Sequence, residues 1–321
     1  MDLPTYQDIL DADAVVHRYL RPTLLCDWPL LSKRLGFSFS LKHENHLPTG
    51  AFKARGGINL VSRLSQEEKD KGIIGCSTGN HGQSLGFACR EFGVKCIVVV
   101  PCNSNPGKLA SMNGLGVELI EHGKDFDEAK QHCERFAKEH GYRYVHSANE
   151  PHLIAGVGTM ALEIFDDLPD PDVLLVPIGL GSGICGNAIV AAERYPKTKV
   201  IGVQSVGASA VAESWKSGSL VTHDSIDTFA EGLATRSPAA LTLEIMRRFV
   251  SDIVLVTDEE IRAAMCWILE ASHNLPEPAG AATTAAVWKL RRNLSGKKVV
   301  GILSGGNCDL RLLPELLSER R

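Results

Sequence analysis

Four short stretches of the 321-residue chain gather residue types that could do chemistry. In ENHLPTGAFKARGG, Lys53 falls among small and apolar residues, in the first turn of a helix that Thr49 could cap. A base there opposes the helix dipole, whose positive end is the N-terminus. Either it is an ordinary solvated lysine beside Arg55, or desolvation and the dipole lower its pKa and leave an amine able to form an imine. In VPIGLGSGICG, Gly181, Gly183 and Gly186 satisfy G-x-G-x-x-G after an apolar run. Small residues there let backbone N–H groups approach an anion, which leaves open a dinucleotide, another phosphate, or a tight turn with no ligand. A dinucleotide asks for an acid at the end of the following strand to bind the ribose. That strand, KVIGVQS, offers Gln204 instead. In CSTGNHGQS, Ser77, Thr78, Asn80 and His81 surround a turn into a helix, where several N–H donors can face one carboxylate. LSGGNCD closes an apolar run with Ser304, a neutral hydroxyl, and two glycines that allow close approach.

The elements that must position these turns alternate regularly. FSFSLKHE reads as a strand, followed by one helix from about Gly50 through ARGGINLVSRLSQEEKDK. The strands GIIGC, VKCIVVVP, VELIEH and YRYVHS alternate with helices, and so do VLLVPIG, KVIGVQS, DIVLVT and KKVVGILS. Thr257 and Glu260 form a capping box that opens a helix. Such alternation implies an α/β protein with mostly parallel sheets and helices on both faces, whose ligands bind at the carboxyl ends of strands. All four chemical turns follow strands or sit beside one.

Composition narrows the partners. A formal charge of −4 gives no basic footprint for nucleic acid, and 6% aromatics offer few stacking platforms. No apolar run approaches the roughly 20 residues of a membrane span, and Met1-Asp2-Leu3-Pro4-Thr5 has no apolar signal core. Nine cysteines without a C-x-x-C pair fit a reducing, cytoplasmic setting. His132, Cys133 and His140 lie on a charged helix with no converging ligand and read as a solvated face, so no metal is expected.

An imine-forming lysine together with a loop for a single phosphate points to pyridoxal 5′-phosphate. The four turns in this order resemble the fold type II pyridoxal-phosphate enzymes, specifically the threonine/serine dehydratase (threonine ammonia-lyase) and serine racemase group. EPHLIAGVGTMALEI and LPEPAGAATTAA match segments of that group too, and the likeness runs from about Pro22 to Asp309. It implies a tryptophan synthase β-like fold of two three-layer domains. The large, cofactor-binding domain is residues 1–67 and 150–321; the small domain, 68–149, carries the substrate-carboxylate turn. The resemblance also implies that Lys53 holds the cofactor as an imine and removes the Cα proton, with Phe52 beside the ring and Asn80 on its 3′-oxygen. Gly179, Leu180, Gly181, Ser182 and Gly183 would hold the phosphate, Ser304 would face the pyridine nitrogen, and Glu277 would lie near the cofactor. Ser77, Thr78, Asn80 and His81 would clamp the substrate carboxylate, His81 through its backbone N–H with its ring in a structural role.

The implied reaction is elimination of water from a β-hydroxy amino acid, giving a 2-oxo acid and ammonia; L-threonine would yield 2-oxobutyrate and L-serine pyruvate. Departures from the group's pattern bear on this. Ala51 stands where a serine is common, and Leu180 interrupts the glycine run, which admits a bulkier substrate such as phenylserine. Thr78 replaces the serine that racemases use opposite the lysine, so two-base serine racemisation would rest on a threonine hydroxyl. Gln204, Ala208 and Ala210 replace the acids of a divalent-cation site. A nicotinamide-dependent oxidoreductase is the alternative from another class, and it leaves Lys53 and STGNHG unexplained. Relatives imply a homo-oligomer, most simply a dimer.

Overall fold

The computed structural model describes residues 2–318. Ten strands form two sheets. They are β1 (Leu25–Asp27), β2 (Phe39–His43), β3 (Ile73–Cys76), β4 (Cys96–Val100), β5 (Glu118–Glu121), β6 (Arg143–Val145), β7 (Val173–Pro177), β8 (Lys199–Ser205), β9 (Asp252–Val256) and β10 (Val299–Leu303). The six-stranded sheet has the order β1-β2-β10-β7-β8-β9 and the four-stranded one β5-β4-β3-β6. Every pairing is parallel except β1 against β2.

Period-two alternation explains why both faces of each sheet are covered. On β7, Leu174 and Val176 enter one core with the helices Pro151–Asp167 and Ser182–Arg194, while Val173 and Leu175 enter another with Asp258–Ser272 and Pro278–Leu294. In the smaller sheet, Val98 and Val100 face the helices Lys53–Ser62 and Asn80–Phe92, while Ile97 and Val99 face Phe126–His140. Each sheet is therefore the middle of three layers, as the sequence implied.

The helix Lys53–Ser62 lies between the two layered units. It packs on Asn80–Phe92 on one side and Pro151–Asp167 on the other. Glycines make that close passage possible: a Cβ at Gly57 would lie 2.4 Å from Ser84 Oγ, and one at Gly156 would lie 2.6 Å from the Arg55 carbonyl.

Three local expectations are corrected. The single helix expected from Gly50 to Lys71 is two, because Ser65 and Glu68 form a capping box that opens a new helix, Gln66–Lys71. Thr49 does not cap the first of them; Phe52 occupies the N-cap and the Thr49 hydroxyl donates to Ala51 O at 3.2 Å. Cys133 is not on a solvated face but buried in the small core between β3, β4 and its own helix, while His132 stacks on His122 with ring centroids 3.9 Å apart. Among the described residues no group of three or more His, Cys, Asp or Glu could hold a metal ion, and no helix is long and apolar enough to cross a membrane.

Candidate active site

Three neighbouring parallel strands carry the first part of the site at their carboxyl ends. β2 runs through a short turn into the loop before Lys53, β10 ends at Ser304, and β7 ends at the glycine loop. The Lys53 loop is tied to the Ser304 turn by backbone: Phe52 N donates to Ser304 O at 3.0 Å, and Ala51 bridges Gly305. Ala51 is sealed by this bridge, so the missing hydroxyl there removes no group from the open face.

Lys53 is the first residue of its helix and half-buried. Its Nζ lies 3.4 Å from Ser182 Oγ and 5.0 Å from the centroid of the Phe52 ring. No carboxylate is within ion-pair reach of it among the described residues. Burial pulls its pKa down to about 8, and the more distant Glu277 charge only partly offsets this. The alternative of an ordinary solvated lysine fails on this desolvation, and its neighbour Arg55 is fully buried.

The glycine loop turns on Gly181, whose φ of +97° lies in the left-handed region, and this residue caps the helix Ser182–Arg194. Among the described residues, no acceptor takes the backbone N–H groups of Gly179, Leu180, Gly181, Ser182 or Gly183. Five free amides on a helix N-terminus form an anion cradle. Its walls are close: a Cβ at Gly179 would lie 2.4 Å from Gly232 O, and one at Gly183 would lie 3.1 Å from the Phe52 ring. Thr242, which sequence reasoning missed, braces the loop by donating from Oγ1 to Leu180 O at 2.5 Å. Nothing in its local sequence, the helix ALTLEIMRRF, marks that role.

The smaller sheet supplies the facing wall. After β3, Gly79 N donates to Ser77 Oγ at 3.1 Å, which folds the turn so that Asn80 begins a helix. Thr78 is half-buried and its hydroxyl has no protein partner. The His81 ring is packed against Gly75 and sealed, with Nε2 unpartnered; burial, assisted by Lys53, lowers its pKa to about 3. A neutral, enclosed imidazole fits the structural role expected for it.

Asn80 reaches across to the larger sheet's unit. Its Nδ2 donates to Glu277 Oε1 and Oε2 at 2.8 and 3.0 Å, and its Oδ1 accepts from Asn307 Nδ2 at 2.8 Å. Asn307 also donates to Thr49 O at 2.8 Å, so it joins the Lys53 loop, the Ser304 turn and Asn80. It lies in the quoted LSGGN stretch, but nothing there showed that its side chain spans three segments. Glu277 is buried, and desolvation raises its pKa against the Asn80 hydrogen bond and the Lys108 charge. Lys108 itself pairs with Glu231 across the cleft. Ser304 is buried with its hydroxyl unpartnered, next to this group.

At the end of β8, Gln204 is fully buried and its Oε1 accepts from Ala212 N at 3.0 Å. It holds the start of the next helix and leaves no acid for a ribose. The G-x-G-x-x-G match thus stands in a setting that lacks the rest of a dinucleotide site.

A family model described as "Pyridoxal-phosphate dependent enzyme" matches residues 16–305. The chain belongs to this family. It is 36% identical over 315 residues to the L-threonine ammonia-lyase of Thermotoga maritima, covering 98% of this chain and 78% of that protein. The structure superposes on the processed form of threonine deaminase isoform 2 from Solanum lycopersicum with a TM-score of 0.93 and 31% identity, covering 98% and 90% of the two chains. Maize serine racemase gives the same TM-score of 0.93 at 28% identity, covering 99% and 98%. Family membership overturns the nicotinamide alternative, in agreement with Gln204.

The residues present fit the family's cofactor. The free amides at 179–183 suit one phosphate, the glycine walls leave room that a Cβ would fill, and the Lys53 amine has a lowered pKa and, among the described residues, no carboxylate partner.

Proposed function

We propose that the protein eliminates water from β-hydroxy amino acids, L-threonine and L-serine above all, to give 2-oxobutyrate or pyruvate and ammonia. The observation that carries this reading is the Lys53 amine, held near Ser182 of the anion loop with its pKa at about 8 and no counter-ion. A threonine ammonia-lyase and a threonine deaminase among the similar proteins support it. Pyridoxal phosphate supplies the carbonyl that takes up the substrate amine and the ring that delocalises charge at Cα. Phe52, Asn80, Glu277, Ser304 and the amides of Gly179, Leu180, Gly181, Ser182 and Gly183 would hold it. Ser304 is neutral and places no negative charge where a carboxylate would fix a proton.

This chain's own residues then act on the substrate. The Ser77 and Thr78 hydroxyls and the N–H groups of Asn80 and His81 bind its carboxylate. Lys53 Nζ removes the Cα proton, and the β-hydroxyl leaves the adjacent carbon as water, taking up a proton as its bond to Cβ breaks, so that H from Cα and OH from Cβ are lost in sum. Asn80, bonded to Glu277 and Asn307, draws the carboxylate turn over the cleft and excludes water. We assign residues 1–67 and 150–321 to a large domain and 68–149 to a small one, so these bonds cross the domain boundary. The reading also carries a cytoplasmic, homo-oligomeric enzyme.

The test is 2-oxo acid release from L-threonine, L-serine and L-threo-phenylserine by the cofactor-loaded protein. Release from threonine or serine is the expected result; release from phenylserine alone would move the substrate to the bulkier class, and none from any would overturn the reading. A separate result is expected for the protein stripped of cofactor. Lys53 adds to the cofactor aldehyde only as the neutral amine, and its pKa of about 8 places that form in the minority at pH 7 and the majority at pH 9. The second-order rate of cofactor uptake, followed by absorbance, should therefore rise about tenfold over that range.

A further inference from the structure

The turn after β6 holds a second histidine that the reaction outlined above does not use. His146 lies at the carboxyl end of β6, one residue beyond Val145, which pairs with Gly75 of β3. β3 in turn leads directly into Ser77 and the carboxylate turn. Adjacent strands are about 4.8 Å apart, so His146 is a lateral neighbour of that turn, on the ligand-binding edge of the sheet.

Its ring is held in one orientation. Nδ1 accepts two backbone hydrogen bonds, from Ala148 N at 3.0 Å and Asn149 N at 2.9 Å. An imidazole nitrogen that accepts two N–H groups carries no proton, so the proton is on Nε2. Tyr144 braces the ring edge-on, with centroids 6.4 Å apart. The turn is itself fixed: Glu150 accepts from Arg143 at 3.0 and 2.8 Å, and Asn149 Oδ1 accepts from Leu241 N at 3.1 Å, reaching the larger sheet's unit. Nε2 has no protein partner, and unlike the sealed Nε2 of His81 it is not closed off. The result is an oriented donor, beside the carboxylate turn, with nothing to donate to.

Resting on the β-hydroxy amino acid reading above, we propose that His146 Nε2–H donates a hydrogen bond to the β-oxygen of the substrate and so selects for a β-hydroxyl over an apolar β-substituent. Burial, with Lys130 and Lys53 nearby, holds the ring's pKa at about 4, so it stays neutral and contributes a hydrogen bond, not a proton. A site that hydrogen-bonds a substrate hydroxyl rejects analogues that lack it, because its own donor is then left unpaired.

The experiment compares kcat/KM for elimination from L-serine and from β-chloro-L-alanine, a substrate of similar size whose leaving group is a poor hydrogen-bond acceptor. In H146L and in H146A the serine-to-chloroalanine ratio is expected to fall about tenfold, the scale of one lost neutral hydrogen bond. H146Q should restore it, since its amide oxygen Oε1 can accept the two N–H groups while its Nε2–H2 can still donate. The dissociation constant of L-alanine, read from protein fluorescence, should change less than threefold in all three variants. A parallel fall for both substrates, or a weakening of L-alanine as well, would show a merely structural ring and overturn the proposal. Wild-type protein that processes chloroalanine but neither serine nor threonine would instead overturn the dehydratase reading on which the proposal rests.

Discussion

Replacing Lys53 with alanine is expected to remove 2-oxo acid release from both L-threonine and L-serine, by a factor of at least about 10⁴. The size follows from two losses at one atom. In the proposed function the Nζ amine both joins the cofactor to the protein and removes the Cα proton, and no second amine stands ready to replace it. Lys108 pairs with Glu231 and Lys42 pairs with Glu163, so neither is free to substitute. The fold should survive, because Nζ makes a single long contact, to Ser182. The check is a paired measurement: 2-oxo acid formation, and the thermal midpoint of the cofactor-free protein. Activity within a factor of ten of the wild type, with an unchanged midpoint, would remove Lys53 from the chemistry and with it the proposed function.

The largest effect on stability should come from Arg55. Its guanidinium is fully buried and donates to Glu44 at 2.7 and 2.9 Å, to Glu163 at 2.5 and 2.9 Å, and to Thr159 at 3.2 Å. Lys42, also buried, adds an ion pair to Glu163 at 2.6 Å and a hydrogen bond to Thr23 O at 2.7 Å. The two cations and two anions balance. R55L would leave Glu44 charged, buried and bonded only to the Thr23 hydroxyl, at a cost of about 3–5 kcal/mol. The urea midpoint of the cofactor-free protein measures it. K71A, which breaks the exposed and solvent-screened pair with Glu67, is the control and should leave the midpoint almost unchanged. Equal effects of the two substitutions would contradict the account.

The same network sets a pH dependence. Burial works against the charge on Glu163, but Arg55 and Lys42 outweigh it and hold the pKa at about 2, below the ordinary 4.5. A lowered carboxylate pKa stabilises the fold fully above pH 4.5 and loses that contribution as pH falls through 2. Arg55 belongs to the helix that begins at Lys53, so the network anchors the helix that carries the proposed catalytic lysine.

Much of this was legible in the residues. Strand and helix alternation fixed the α/β class, since apolar runs such as CIVVV have to be buried on both faces. The four turns were recognisable because glycine, a strand end and a misplaced base are local features. The carry-over of roles to Phe52, Ser182 and Ser304 needed only their neighbours in the chain. Other readings failed for an equally physical reason. The break after Ser62 depended on a capping box that competes with helix propensity. The burial of Arg55 had no local signal, because its three partners, Glu44, Thr159 and Glu163, come from the turn after β2 and the helix Pro151–Asp167.

The sequence by itself determined which groups this protein can offer: an amine among small and apolar residues, a glycine loop after a strand, a turn rich in hydroxyl and amide groups, and a neutral serine, each encoded within a dozen residues. Tertiary structure alone decided how those parts meet. It set Asn80 against Glu277 and Asn307, braced the anion loop with Thr242, buried Arg55 between two glutamates and turned His146 Nε2 free of the backbone. Those contacts join residues from 11 to 227 positions apart, or, for His146, depend on a turn held by the helix Ala240–Phe249. Local sequence limits which groups a segment can offer; the packing of two layered units decides their partners, their burial and hence their charge.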